Sequence, residues 1–598
     1  MPQKVLHGIP VSAGISIGKA FFVNRSRFDH IPRQTIPAED LLSEITRLET
    51  AFATTAADLR KALDKVPDDL KEQASIINSH LMISADPKLM GAARKIVSEM
   101  AITAEWALEK AVDDIARAFA AIEDPYIRER IQDVRLVASR VQAQLLRQAR
   151  NDTGPTALHG IQERVVLMAH DLSPADTIGL ESDKIMSFAT VQGGKTSHTG
   201  ILGRSLQIPA VVGVSGLEES VNDGDLVIVD GLNGKIMVEP DESVLALYAD
   251  LKYQFEAYQQ SIMRSCVLPA ETQDGFRIKV LANIELFEEC TSALDNGGEG
   301  IGLYRTEYAF MNKRDMPDEE ALFEEYRDLA AIMKPRRVIF RTLDIGADKV
   351  LDGQEKLNES NPALGLRAIR YSLRNEDLFR RQIRAILRAS SYGNVAIMFP
   401  MISGLAELAQ AKSHLRVVQN DLKAHGRDFD PDMPVGIMIE LPSAVMIAEQ
   451  LAKEVDFFSI GTNDLIQYSL GIDRTNKHVS YLYQPLHPAI VRSIKHVVDA
   501  AHREGIEVTV CGEVASDPYC VPILMGMQID GISIAPQAIP GIKRIIRQTT
   551  LEDCKNLLSE ILSYSTVSKI NRRVKETVFR RFPEELMFYS SLIDQEEA

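Results

Sequence analysis

The sequence predicts an α/β multidomain protein: an N-terminal α/β domain carrying an inserted helical bundle, then a C-terminal (β/α)8 barrel of the TIM type. Three observations carry this reading. From about residue 270 onward, eight short Val- and Ile-rich runs alternate with helical patterns, as repeated β-then-α units do. Between about Pro37 and Leu146 apolar residues recur at three- and four-residue spacing with almost no glycine, as packed helices require. Glycine-punctuated, β-branched segments lie on both sides of that stretch, and the first of them needs a sheet to join.

The segment Val5 to Val23 reads as short strands with tight turns. It contains Gly14-Ile15-Ser16-Ile17-Gly18, a formal match to the hydrolase nucleophile elbow. That motif needs a helix after the turn, whereas another apolar strand follows here. The helical stretch shows Leu41, Ile45 and Leu48, and later Val134, Val137, Val141 and Leu145, on helical faces. Within it, Ile76 to Ile83 is apolar for a surface helix and breaks before Asp86-Pro87. That stripe suits either the bundle core or a docking surface.

Strand-helix alternation resumes from Gly160, with strands at Arg164 to Ala169, Lys184 to Phe188, Ala210 to Val212, Leu226 to Asp230 and Lys235 to Val238. A polar helix from about Asp241 to Met263 reads as a linker. The barrel strands are expected at Ile278 to Ala282, Gly300 to Arg305, Arg337 to Arg341, Val395 to Pro400, Val435 to Glu440, Asp456 to Gly461, Glu507 to Cys511 and Gly531 to Ile534. The expected domains are 1–30 with 147–240, the insertion 31–146, the linker 241–268 and the barrel 269–598.

Composition narrows the function. In 598 residues, 67 Lys+Arg against 84 Asp+Glu give a net charge of −17, which disfavours a polyphosphate partner such as nucleic acid. No run approaches the ~20 apolar residues of a membrane span, and the N-terminus lacks a secretion signal. The cysteines, Cys266, Cys290, Cys511, Cys520 and Cys554, are odd in number and scattered. They argue against a disulfide framework or zinc site and for the reducing cytoplasm.

Barrel active sites sit where strands end. Here the expected ends carry Arg305 and Glu307, Arg341 and Asp344, Glu440, Asn463 and Asp464, and Cys511, with Arg474 within reach of the same mouth. Guanidinium forks match phosphate and carboxylate oxygens. Glu440 and Asp464, on adjacent strands, form an all-oxygen pair suited to Mg²⁺. Together they imply a small phosphorylated carboxylic acid held on magnesium. The same side chains also suit a salt-bridge network sealing the barrel top.

The second constellation runs from Gln192 through Gly193-Gly194-Lys195-Thr196-Ser197-His198-Thr199-Gly200-Ile201-Leu202-Gly203-Arg204. A P-loop needs glycine where Ala189 stands, so that reading fails. What remains is a glycine turn into a helix capped by Thr196 or Ser197, with His198 in the first turn. A helix N-terminus keeps an imidazole neutral and nucleophilic, and its free N–H groups receive phosphate. A purely structural histidine is the alternative.

These motifs resemble the two signatures of the enzymes that use phosphoenolpyruvate: the Gly193-to-Arg204 segment their phosphohistidine signature, and Asp456 to Tyr468 their barrel signature. Within that group the resemblance, running from Gly14 through Pro540, is to the enzyme I family of the bacterial sugar phosphotransferase system. It implies a swivelling phosphohistidine domain and a first step of sugar uptake in which phosphoenolpyruvate phosphorylates His198, then the histidine carrier protein HPr. It further implies phosphoryl stabilisation by Arg305 and Arg341, Mg²⁺ on Glu440 and Asp464, and substrate contacts from Asn463, Asp464 and Arg474. Cys511 would be the proton donor, and Thr177 would hydrogen-bond the active histidine. The helical insertion would dock HPr through residues such as His80, Leu81 and Arg130, with Asp133 and Arg135 near the phosphohistidine, and the barrel would dimerise. Leu136, Gly203 and Lys195 depart from common family residues. Dikinase and synthase members add an ATP-binding domain, for which the residues before the histidine segment offer no Gly-rich loop. A non-catalytic binding module would lack the histidine or the carboxylates, and all are present.

Overall fold

A computed structural model of the chain describes residues 4–23, 34–64, 71–120, 131–149, 163–172, 184–194, 199–200, 203, 208–310, 317–346, 361–474, 476 and 478–583. The chain divides into two compact units, Met1–Ala257 and Tyr258–Ala598.

The N-terminal unit contains strands β1 (Lys4–His7), β2 (Ile9–Ser12), β3 (Ile15–Val23), β4 (Val165–Ala169), β5 (Ile185–Thr190), β6 (Ala210–Val212), β7 (Leu226–Asp230) and β8 (Lys235–Val238). They form one sheet in the order β1-β8-β7-β3-β4-β5-β6-β2. β3 joins its two halves, pairing parallel with β4 and antiparallel with β7. The strands before and after the helical stretch therefore share one sheet, as their separate incompleteness required. Ser16 of the elbow-like pentapeptide lies within β3, with Val229 of β7 as its neighbour, and the strand runs on to Val23. A strand-bound serine cannot be a nucleophile elbow.

Between β3 and β4 lie helices α1 (Leu41–Leu63), α2 (Lys71–Ala85), α3 (Pro87–Met100), α4 (Ala104–Ala120) and α5 (Ile131–Ala149). The helical periodicity has a direct outcome: Leu48, Val141 and Leu145 are buried in one core, against which Leu41, Ile45 and Val134 pack. Asp86 ends the apolar stripe because it caps α3, its carboxylate accepting Lys88 N–H at 2.8 Å, with Pro87 in the first turn.

Gly203 has a packing reason. A Cβ there would come within 2.9 Å of Ala210 Cβ and 3.1 Å of the Phe188 ring, so an alanine at this place would collide with β5 and β6. Helix α6 (Glu242–Arg264) spans the division between the units. Its first turns pack Val244, Leu245, Tyr248 and Leu251 against Ile15, Ile228 and Met237.

The C-terminal unit is a closed barrel of parallel strands: β9 (Lys279–Ile284), β10 (Ile301–Arg305), β11 (Val338–Arg341), β12 (Val395–Phe399), β13 (Val435–Ile439), β14 (Phe457–Gly461), β15 (Glu507–Cys511) and β16 (Gly531–Ile534), with β16 pairing back onto β9. All eight lie within one or two residues of the expected strands. Alternation sorts their side chains. Val338, Phe340, Ile437, Ile439, Phe458 and Ile460 face the helices in the large core. Leu303, Ile339, Ala396, Met398, Met438 and Cys511 form a separate inner cluster. Continuing that inward parity by two residues brings Arg305, Arg341 and Glu440 to the C-terminal mouth.

Candidate active site

A cavity of ≈ 330 Å³ opens at that mouth, lined by Arg305, Arg341, Arg367, Arg474, Glu285, Glu307, Asp344, Glu440, Asn463, Asp464 and Cys511, among others. Every barrel residue singled out from the sequence lines this one cavity. The charges therefore border open space and do not simply seal the barrel.

Arg341, at the end of β11, is buried. Its Nη2 donates to Glu307 at 2.9 Å, and its Nη1 lies 3.1 Å from Asp344 Oδ2. Burial disfavours its charge, but Glu307, Asp344 and Glu440 outweigh that and raise its pKa. Arg305 pairs with Glu285. Arg474 is more exposed, 3.8 Å from Glu513. The guanidiniums of Arg305 and Arg341 are thus held in place by carboxylates, which reduces the ordering cost when an anionic ligand arrives.

Helix α7 (Thr462–Leu470) starts where β14 ends and delivers Asn463 and Asp464. Asp464 and Tyr468, four residues apart on one helix face, both receive Arg367: Nη1 donates to Tyr468 Oη at 3.2 Å, and Nη2 to Asp464 Oδ2 at 3.0 Å. Arg367 also donates through Nε to Asp344 at 2.9 Å. Asn463 Oδ1 accepts the Glu513 N–H at 3.0 Å and the Tyr483 hydroxyl at 3.3 Å. Gly512 makes this approach possible. Its φ is +97°, and a Cβ there would lie 2.4 Å from Thr462 Oγ1 and 2.8 Å from Asn463 Oδ1.

Glu440 is fully buried and accepts the Met401 N–H at 2.6 Å. Burial, then the nearby Asp464 and Asp344, push its carboxyl up to about 8, against Arg341 and Arg367. Asp344 behaves oppositely: burial raises it, but Arg341 and Arg367 outweigh burial and hold it low. A buried carboxylate crowded by two others is short of positive charge. Glu440 and Asp464 thus offer the hard oxygen donors of a divalent cation. Among the described residues no cluster of three or more His, Cys, Asp or Glu is arranged to cage a metal. A two-carboxylate site, completed by ligand oxygens, is the pattern of Mg²⁺.

Cys511 ends β15, with its Sγ donating to the Ile460 carbonyl at 3.4 Å and 3.5 Å from Ser459 Oγ. Burial raises its pKa, against the Ser459 hydrogen bond. At neutral pH it is a thiol, able to give a proton.

The remaining candidates belong to the N-terminal unit. His198, Thr177 and Arg130 lie outside the described residues. Thr199, the next residue after His198, is helical, and its hydroxyl donates to Asp171 Oδ1 at 2.9 Å. His80 is buried on α2, its Nε2 3.6 Å from Asp133 Oδ1. Leu81 packs against Leu59 and Ile77. The helix turns His80 inward because it shares a face with Ile77, three residues earlier. Among the described side chains of this stretch, Asn78 and Met82 are exposed.

Arg367 carries no strand-end signal in the sequence, and Glu307 and Asp344, which stand at strand ends, take their role from the structure: both hold Arg341.

Comparison with known proteins places most of the chain. Residues 7–130 match the domain family described as PEP-utilising enzyme, N-terminal; residues 161–234 its mobile domain; residues 259–551 its PEP-binding domain. The phosphoenolpyruvate-protein phosphotransferase of Geobacillus stearothermophilus is 40% identical over 579 residues, covering 96% of this chain and 98% of that one. That of Listeria monocytogenes is 40% identical over 574 residues (96% and 99%), and that of Bacillus subtilis 38% over 573 (96% and 99%). A solution structure of an Enzyme I protein is 35% identical and covers 42% of this chain and 99% of its own, with a TM-score of 0.33.

Proposed function

The chain belongs to the PEP-utilising enzyme family, and from that premise we propose that it is a phosphotransferase carrying phosphate from phosphoenolpyruvate through His198 to the histidine of HPr. The observation that carries the reading is the lumen-facing set at the barrel mouth: Arg305 and Arg341 opposite Glu440 and Asp464, with the Cys511 thiol beside them.

Phosphoenolpyruvate is a phosphate ester of an enol that also bears a carboxylate. Arg305 and Arg341 receive the phosphoryl oxygens, and Asn463 and Arg474 orient the rest of the substrate. Glu440 and Asp464 would hold Mg²⁺, which supplies positive charge against the substrate's oxygens. Nε2 of His198 attacks phosphorus in line; the N–P bond forms as the bond to the enol oxygen breaks. The electron pair left on the enolate takes a proton at carbon from the Cys511 thiol, giving pyruvate. The arginines stabilise charge on the transferring group, which is where such a loose transition state needs it. Thr177 orients the imidazole.

Handover to HPr falls to the helical insertion, 31–146, between the two parts of the phosphohistidine domain, 1–30 and 147–240, with the barrel, 269–598, following the linker 241–268. We place the enzyme in the cytoplasm as a homodimer through its barrel. In support of the first, all five cysteines are free and buried. Among the described residues no helix is long and apolar enough to cross a membrane.

The test is pyruvate release. With phosphoenolpyruvate and Mg²⁺ alone, the chain releases one equivalent of pyruvate and stops. Adding HPr gives continued release in proportion to HPr. Absence of the first equivalent would overturn the reading.

A further inference from the structure

The helix Glu376–Ser390 buries Leu378, Phe379, Ile383 and Ile386, and among them one amide, Gln382, which is 1% exposed. Burying an amide is costly unless its donors and acceptor are used. Gln382 uses its oxygen and one of its two N–H donors behind the barrel mouth. Its Oε1 accepts the Leu343 N–H at 3.0 Å. Its Nε2 donates to Thr306 Oγ1 at 2.9 Å, and the Thr306 hydroxyl donates onward to the Arg341 carbonyl at 2.9 Å. Thr306 directly follows Arg305, and Leu343 lies two residues beyond Arg341. One side chain therefore ties the ends of β10 and β11 together at the residues that supply two of the cavity's guanidiniums.

The direction of these bonds specifies an amide. The single proton of the Thr306 hydroxyl is committed to Arg341, so Thr306 must receive a donor from Gln382. The other end of Gln382 must accept from Leu343. A carboxylate would fail at the first position, and an apolar side chain at both.

We propose that Gln382 is a positioning residue for Arg305 and Arg341, setting the separation at which the two guanidiniums meet the phosphoryl group. It touches neither guanidinium, and acts through Thr306 and the backbone. The proposal rests on the phosphoryl-transfer reading above.

The test uses Gln382→Met, which keeps length and shape, and Thr306→Val, which deletes the relay hydroxyl, with Thr306→Ser as the conservative control. Dissociation constants are measured for phosphoenolpyruvate and for oxalate, a phosphate-free dicarboxylate, both with Mg²⁺, alongside the rate of phosphorylation. In both disruptive variants phosphoenolpyruvate is expected to bind about tenfold more weakly, and phosphorylation to slow by about 10- to 100-fold, the scale of a small misplacement of catalytic groups. Oxalate affinity stays within about twofold, Thr306→Ser behaves as the parent, and the double variant is little worse than either single one. Equal losses for both ligands, or parental rates in folded variants, would overturn the proposal. If Gln382→Met does not fold, the contrast between Thr306→Val and Thr306→Ser decides alone. A parent chain that takes no phosphate would instead remove the functional reading itself.

Discussion

Arg367 grips Asp464 as a fork, Nη1 to Oδ1 at 3.3 Å and Nη2 to Oδ2 at 3.0 Å. The same guanidinium holds Asp344 through Nε and Nη2, at 2.9 and 3.2 Å. One cation thus compensates two carboxylates that crowd Glu440, one of them a ligand we assign to the metal.

Replacing Arg367 by Met leaves Asp344, which is buried, and Asp464, which is partly buried, short of a partner. Removing one member of a buried pair costs roughly 3–5 kcal/mol. Denaturant unfolding of the metal-free variant should show a loss at the lower end of that range, about 3 kcal/mol, because Arg341 still serves Asp344. Added Mn²⁺ should recover part of it. A loss below about 0.5 kcal/mol would mean that the fork contributes nothing to the resting site.

Glu440 gives a pH dependence with a defined sign. Its folded pKa, pushed up to about 8, lies above the ordinary carboxyl range. Between that range and pH 8 the folded state therefore holds a proton that the unfolded chain has lost. The stabilisation is complete at acid pH and disappears as pH rises through the folded value, at up to about 1.4 kcal/mol per pH unit. Metal-free protein should lose stability between pH 5 and pH 8, and Glu440→Gln should flatten the profile. A parental slope in that variant would place the titration elsewhere.

The barrel and most of its mouth were legible because strand and function share a period. Val-Ile-Phe-Arg in β11 and Val-Gly-Ile-Met-Ile-Glu through β13 place their charged residues at strand ends, on the lumen side by alternation. Arg367 had no such signature: it precedes the short helix Ile369–Arg374 in an irregular connection, and its role exists only because folding brings it to Asp464. Gln382 was hidden differently. In Arg-Arg-Gln-Ile-Arg it reads as one more polar position, and only the phase of its helix turns it inward. His80 illustrates the converse: the apolar stripe that carries it suits a core or a docking surface equally by periodicity, and helical phase decides for this ring, burying it beside Asp133.

Cys511 separates binding from chemistry. Buried and protonated, it contributes no charge to substrate capture. Cys511→Ala should bind phosphoenolpyruvate within about twofold of the parent and form pyruvate at least about 100-fold more slowly, the scale of general acid catalysis. Near-normal rates would remove its role as proton donor.

The central claim is that this site moves phosphate from phosphoenolpyruvate onto one histidine. Its most direct test is incubation with ³²P-labelled phosphoenolpyruvate and Mg²⁺, followed by acid and base treatment of the labelled protein. The account predicts one phosphate per chain, labile in acid and stable in base, and absent from His198→Ala. Label persisting in that variant would contradict it.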